Sequence, residues 1–286
     1  VGSEQMETIT VNEDGNPENK VIVHDLGFVI LLDTMGSDEE VENAARISYG
    51  EGTRKVSQTR NLIRYLLRHK HTSPFEMCEV KFHIKLPIFI MRQLVRHRTA
   101  NLNEYSGRYS VMSDEFYLPE GDYLAKQSTT NKQGRAEPLP NKGALQFEFN
   151  RIYDNANMAY NNLLNEDLTR ELARAVLPVA NYTECIWKID LHNLFNFLKL
   201  RMDSHAQREI RDYADAMYEL IKPKFPLCCE AFEDYIQGAT TFSKQEMHMI
   251  KEVLEGADAK AAITRVCYPL GKRETKEFLE KLGESE

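Results

Sequence analysis

No two cysteines in this sequence stand as Cys-x-x-Cys, and the five thiols, Cys78, Cys185, Cys228, Cys229 and Cys267, are odd in number. A zinc site built on paired thiolates is therefore excluded. Adjacent Cys228 and Cys229 have poor geometry for a structural bridge. Also missing is any apolar run of the ~18 residues that a membrane-crossing helix needs, and no apolar leader stands near the start. A reduced, cytoplasmic protein without a membrane span is the expectation.

Positive charge is short as well. Lys and Arg number 36 against 44 Asp and Glu, for a net charge of −8. General binding to nucleic acid or to an anionic membrane needs a basic face, so neither is expected. Any anion recognised here must be met by individually placed arginines. Against that background "RHRTANLNEYSGRY" (96–109) gathers three arginines and a histidine around one carboxylate, Glu104.

The remaining pattern is that of a mixed fold. Residues 1–20 are polar and non-periodic, a loose lead-in. "HDLGFVILLDTMG" (24–36) has the apolar, β-branched character of a strand, and "SDEEVENAARISYG" (37–50) that of a helix opened by a serine cap. A second helix runs from Ser57, with Leu62, Leu66 and His69 on one stripe, and Pro74 stops it. "CEVKFHIKL" (78–86) alternates apolar and polar residues without a miss, the mark of a half-buried strand. Pro87 suits the first turn of a helix that continues through "PIFIMRQLVRHRTA". Residues 119–143 are rich in Pro, Gly, Ser and Asn and form a long surface loop. Helices follow over 144–164, 165–178 and 191–222, with a strand at 179–189 and a helical tail at 241–286. One large α+β domain over 21–240, a central antiparallel sheet flanked by helices, is the expected architecture.

Two readings of the cationic stretch compete. Arg96, His97 and Arg98 could simply complement the negative end of a helix, each contributing a few tenths to ~1 kcal/mol. Successive helical residues point ~100° apart, so the triplet would fan toward different neighbours. Beyond it lie Asn, Glu and Ser side chains, a flexible Gly107 and Arg108, which suit a polar, phosphorylated heterocycle. A Ser106 nucleophile is disfavoured, because "YSGRY" lacks the GxSxG elbow and no Asp is placed to orient His97. His69, His71, His83 and His97 lack a carboxylate pair, so no metal is expected. "LRMDSHAQREI" (200–210) either closes one helix and caps the next or offers Arg201 to an anion or carbonyl. Trp187 and Cys185 belong to a core.

"RHRTANLNEYSGRYS" resembles the signature of the flavin-dependent thymidylate synthases, an Arg-His-Arg triplet followed after seven residues by serine. "HKHTSPFE" (69–76), "PIFIMRQLVRHR" (87–98), "LARAVLP" (172–178) and "NFLKLRMDSHAQREI" (196–210) are similar to the family's other motifs, in the family's order. The resemblance implies a methyltransferase that makes dTMP from dUMP. Its carbon donor would be 5,10-methylenetetrahydrofolate, its redox cofactor FAD and its reductant NADPH. It also implies a homotetramer whose active sites form between subunits.

Carried onto this chain, the resemblance makes Ser73, His71, Arg96, His97, Arg98, Glu104 and Asn196 the contacts of FAD. Gln93 and Arg96 would face dUMP from one subunit, and Glu104, Tyr105, Ser106, Gly107 and Arg108 would enclose it from another. Arg174 would hold the same nucleotide. Arg201 would sit against the uracil edge as the catalytic group. Asp190 and His192 depart from the family pattern, which carries Asn and Arg there. Two rivals stand beside this reading: a nucleotide- or flavin-binding protein of the same fold without turnover, and a hydrolase using Ser106.

Overall fold

A computed structural model describes residues 19–47, 59–129 and 134–242. Nearly all of the expected lead-in and helical tail, and the ends of the first two helices at Gly50 and Ser57, lie outside those residues. The chain divides into two units, 1–237 and 238–286, and every element below belongs to the first.

Strands β1 (Lys20–Val23) and β2 (Gly27–Met35) lead into α1 (Asp38–Ile47), α2 (Thr59–Arg68) and the single turn α3 (Ser73–Glu76). Next come β3 (Glu79–Pro87), α4 (Ile88–Leu94) and β4 (Ala100–Glu104), then β5 (Ala125–Gln127) and β6 (Arg135–Pro138). The described chain continues with α5 (Lys142–Asn165), α6 (Arg170–Ala173), β7 (Tyr182–Asp190), α7 (Leu191–Arg201), α8 (Arg208–Ile221) and α9 (Pro226–Phe232). Strands β1, β2, β3, β7 and β4 lie side by side in that order, each antiparallel to its neighbour. The fold is α+β, an antiparallel sheet with helices packed on it, as the strand and helix pattern implied.

Alternation in β3 does what the sequence required. Val80, Phe82, Ile84 and Leu86 are fully buried, and Val80, Phe82 and Ile84 pair with Ile189, Trp187 and Cys185 of β7. Trp187 stands over Phe82 at 6.4 Å between ring centroids and meets Phe197 of α7 edge-on at 5.2 Å. The opposite face pairs its polar groups instead: Lys188 with Glu79 at 2.7 Å, His83 with Glu184 at 2.7 Å and Lys81 with Asp33 at 3.2 Å. Burial of one face in this way is the dominant stabilising term for a sheet of this kind.

Several boundaries differ from expectation, each for a local reason. The apolar stretch 24–36 holds one strand, β2, which starts only at Gly27; residues 24–26 form the turn from β1, with His24 left-handed at a φ of 59°. Pro74 does not end the second helix, which stops at Arg68 with Lys70 left-handed at a φ of 59°; it sits in the first turn of α3, where its missing N–H costs nothing. The helix after Pro87 ends at Leu94, with Arg96 N and His97 N bonding back only three residues, to Gln93 O and Leu94 O. Residues 100–104 then join the sheet edge beside β7, so the triplet lies in the turn between helix and strand and does not fan from a helix. The 191–222 region is two helices broken at Met202–Gln207. Loop 119–143 contains the β5–β6 hairpin.

One close approach locks α8 to the sheet. Tyr213 Oη donates to Lys85 O at 2.8 Å, and a Cβ on Gly27 would lie 2.1 Å from that hydroxyl and 2.7 Å from Val23 O. Gly27→Ala is expected to destabilise the fold by about 1–3 kcal/mol, the usual cost of overpacking, read as a lower urea midpoint. Adding Tyr213→Phe should recover part of the loss, because the nearer clash is removed; no recovery would contradict the contact.

Candidate active site

Helices α4 and α7 start from opposite ends of the β3–β7 pair, after Pro87 and after Asp190. Their C-terminal residues meet. Arg201 Nε donates to His97 Nε2 at 3.1 Å, and its Nη2 reaches Gln93 O at 3.5 Å, a carbonyl in the last turn of α4. A guanidinium can only donate, so His97 Nε2 must be an unprotonated acceptor and the ring a neutral Nδ1–H tautomer. Burial, then the charge of Arg201, lowers the His97 pKa to about 4. Phe197 presses edge-on against the ring at 4.8 Å. Arg201 is half-buried, and burial followed by the charge of Arg96 pulls it below the usual guanidinium range. It still remains a cation, given how high that range lies.

Arg96 and Arg98 are exposed. Among the described residues neither guanidinium has a hydrogen-bonded or ion-paired partner. Gln93 is engaged on its side chain: Nε2 donates to Gln207 Oε1 at 2.6 Å.

A second group forms beyond β4. Tyr105 N bonds to Glu184 O at 2.8 Å and extends the edge pairing by one residue. The chain then turns, with Tyr109 N and Ser110 N both donating to Ser106 O at 3.1 Å. Gly107 is buried where this turn meets the segment after α6, and a Cβ there would lie 2.6 Å from Met112 Sδ and 3.2 Å from Arg174 Cδ. Arg170 donates to Tyr109 O at 2.6 Å, and Arg108 Nε stands 3.6 Å from Glu171. Ser106, Gly107, Arg108 and Arg174 are thus brought together, with Arg108 and Arg174 exposed. Ser106 Oγ accepts from Arg108 N at 3.4 Å, and among the described residues no histidine bonds to it.

Glu104 ends β4 exposed, accepting from Thr183 Oγ1 at 3.0 Å, while Tyr105 Oη donates to Val111 O at 2.9 Å. Ser73 and His71 are exposed beside α3, which packs on α7 through Phe75 and Phe195 at 6.5 Å. His71 stacks on Tyr65 at 5.8 Å. Asn196 is exposed on α7, its amide bonded to His192 Nε2 at 3.1 Å. Asp190 caps α7, its carboxylate accepting from Asn193 N at 2.8 Å and Nδ2 at 2.7 Å. That is an N-cap role, which the asparagine of the family pattern could fill equally well. Among the described residues, no hydrogen bond or ion pair joins the Gln93–His97–Arg201 group to the Ser106–Arg174 group within one chain. Arg170, Gln207 and Glu209 are polar members of this region that the motif reading did not single out. The visible signal for the latter two was "HAQREI", where an amide and a carboxylate flank a helix start.

Over residues 30–227 the chain matches the family model described as thymidylate synthase complementing protein. The chain belongs to the flavin-dependent thymidylate synthase family. It is 50% identical over 274 residues to the flavin-dependent thymidylate synthase of Ehrlichia ruminantium, covering 94% of this chain and 89% of that one. With that of Dictyostelium discoideum it shares 49% over 277 residues, covering 93% and 88%. Among solved structures, the UMP/dUMP methylase PolB from Streptomyces cacaoi bound with 5-Br dUMP is similar at a TM-score of 0.70 and 32% identity, over 76% of this chain and 99% of that one. Membership of the family covers the sheet, both residue groups and the helices that carry them.

The depressed His97 pKa sets the sign of an acid effect. The unfolded imidazole takes its proton near pH ~6.5, the folded one only near 4. Stability from the neutral ring is therefore full above the unfolded value and is lost as the pH falls from there through the folded value. NMR titration of the His97 ring should show it neutral down to about pH 5; a midpoint at the ordinary histidine value would contradict the Arg201 bond.

Proposed function

We propose that this chain is a flavin-dependent thymidylate synthase that converts dUMP to dTMP, with 5,10-methylenetetrahydrofolate as carbon donor, FAD as cofactor and NADPH as reductant. The observation that carries this reading is the half-buried Arg201, aimed by His97 and the end of α4, beside guanidiniums that no group among the described residues neutralises.

A dinucleotide cofactor needs cationic and neutral donors for its diphosphate and sugars. Arg96 and Arg98, without partners among the described residues, fit that demand together with the exposed Ser73 hydroxyl and Asn196 amide on neighbouring elements. When bound and reduced, FAD supplies the electrons that turn the transferred methylene into a methyl group. His71, His97 and Glu104 complete the set expected around it. Neutral His97 adds no further charge to that of Arg201 and nearby Arg96 in a partly dry environment.

The nucleotide falls to the second group, with Gln93 and Arg96. Its phosphate suits Arg108 and Arg174 and the turn at Ser106–Gly107, where a Cβ on Gly107 would crowd the Met112 and Arg174 side chains. Glu104 and Tyr105 flank that turn. Arg201 faces the uracil edge and stabilises negative charge as it develops on the ring, an effect magnified where water is excluded. All four described thiols are buried, so none is offered to the uracil ring as a nucleophile. Because the two groups are not bonded to each other within one chain, we assign them to sites shared between subunits of a homotetramer.

Purified protein should be yellow, and its visible flavin spectrum should change when dUMP is added; a colourless protein that binds no FAD would overturn the assignment. Arg201→Ala should lower kcat by on the order of a hundredfold or more while FAD loading stays near wild type. Arg108→Ala should raise KM for dUMP more than it lowers kcat, because a phosphate partner is lost. Equal loss of flavin and rate in Arg201→Ala would remove it from the catalytic step.

A further inference from the structure

Behind Gln93 runs a chain of side-chain bonds that the functional reading leaves unused. Gln93 Nε2 donates to Gln207 Oε1 at 2.6 Å, and Gln207 Nε2 donates to Glu209 Oε2 at 2.9 Å. Glu209 is 1% exposed. Its other oxygen accepts from Tyr117 Oη at 3.2 Å and from the Arg135 guanidinium of the β5–β6 hairpin. Burial pushes this carboxyl upward, but the hydrogen bond and charge of Arg135, with Gln207, overcome it and hold it below the usual carboxylate range.

An amide is nearly symmetric in shape and opposite in polarity at its two ends, so something outside it must decide which end faces where. An ionised carboxylate only accepts. It therefore takes an N–H from Gln207, which turns the Gln207 carbonyl toward Gln93, which takes an N–H in turn and leaves the Gln93 carbonyl facing away. We infer that Glu209, acting through Gln207, sets the direction of the Gln93 amide, so that Gln93 offers a carbonyl oxygen to a hydrogen-bond donor on the nucleotide. Glu209 and Gln207 are positioning residues, and Arg135 ties the hairpin to them. The inference rests on the reading that Gln93 faces dUMP. That nucleotide has two neutral donors, its 3′-hydroxyl and its imide N–H.

Glu209→Gln makes a sharp test, because Arg135 and Tyr117 still demand an acceptor at their side. The new amide must then turn its NH2 toward Gln207, which inverts Gln207 and then Gln93. Dissociation constants for dUMP should be measured on the flavin-loaded protein for wild type, Glu209→Gln, Gln93→Ala and the double variant. Glu209→Gln is expected to weaken dUMP about tenfold, the cost of facing donor to donor. In the Gln93→Ala background it should add less than about a twofold change, since the amide it controls is gone. An undiminished effect there means that Glu209 is only structural and overturns the inference. An unchanged affinity in Glu209→Gln overturns it too. Should Glu209→Gln fail to fold, Gln207→Leu enters the same cycle with the same expectations. dUMP analogues lacking the 3′-hydroxyl or methylated at the imide nitrogen separate the two donors. The one that removes Gln93's partner should bind wild type and Glu209→Gln alike, and full sensitivity with both would overturn the carbonyl assignment. If wild type itself binds no dUMP, the functional reading fails and the inference with it.

Discussion

The antiparallel pairing of β3 with β7 is the constraint on which the site depends. Nine residues of one strand face nine of the other, from Glu79 opposite Asp190 to Pro87 opposite Tyr182. Each strand spans about 30 Å. The helix that follows each strand begins at an opposite end, and α4 and α7 have 7 and 11 residues. At a rise of about 1.5 Å per residue their lengths sum to roughly 27 Å. Helices of those lengths, started from opposite ends of one strand pair, can bring their C-termini together, and Arg201 reaches His97 and Gln93 accordingly.

Two helix C-termini brought together concentrate partial negative charge, and cations near them are favourable. That position is taken by Arg201, which lies outside the cationic stretch, while His97 within the stretch is neutral and adds no charge there. Arg201 reaches a terminal carbonyl of α4 and is held by a neutral imidazole. Arg96 and Arg98 go beyond that need, since among the described residues of this acidic protein their guanidiniums have no partner. An exposed arginine without a partner gives little to stability, so a ligand is the better account of it. The same division separates Asp190 from its neighbours: its carboxylate is spent on starting α7.

The β5–β6 hairpin belongs to this logic as well. His24 sits among the rings of Tyr117, Tyr123 and Tyr213 at 5.1–5.5 Å and bonds to Asp212 at 2.9 Å. Tyr123 Oη donates to the same Asp212 at 2.6 Å. Together with Arg135 on Glu209, these bonds seat the insertion on α8, the helix whose start carries Glu209. What the sequence presents as a polar, Pro- and Gly-rich loop is fastened to the body by buried polar groups.

Strict alternation in 78–86, the acidic first turn of α1 and the Trp187 core position were legible because each depends on neighbours in sequence. So were the motif residues Arg96, Ser106, Arg174 and Arg201, whose order and spacing indicated the family. The end of α4, the strand at 100–104, the break at Met202–Gln207 and the Gln93–Gln207–Glu209 chain were not legible. β4 takes its hydrogen bonds from β7, some eighty residues away, and no local preference of "ANLNE" announces that. Likewise the role of a glutamine depends on which end of its amide a distant carboxylate selects. The sequence by itself determined residue chemistry, the periodicities of the core and the family. Tertiary structure decided direction: which guanidiniums are spent, which imidazole stays neutral and which way an amide points. Those depend on contacts between residues about a hundred positions apart, made only once β3 and β7 have paired.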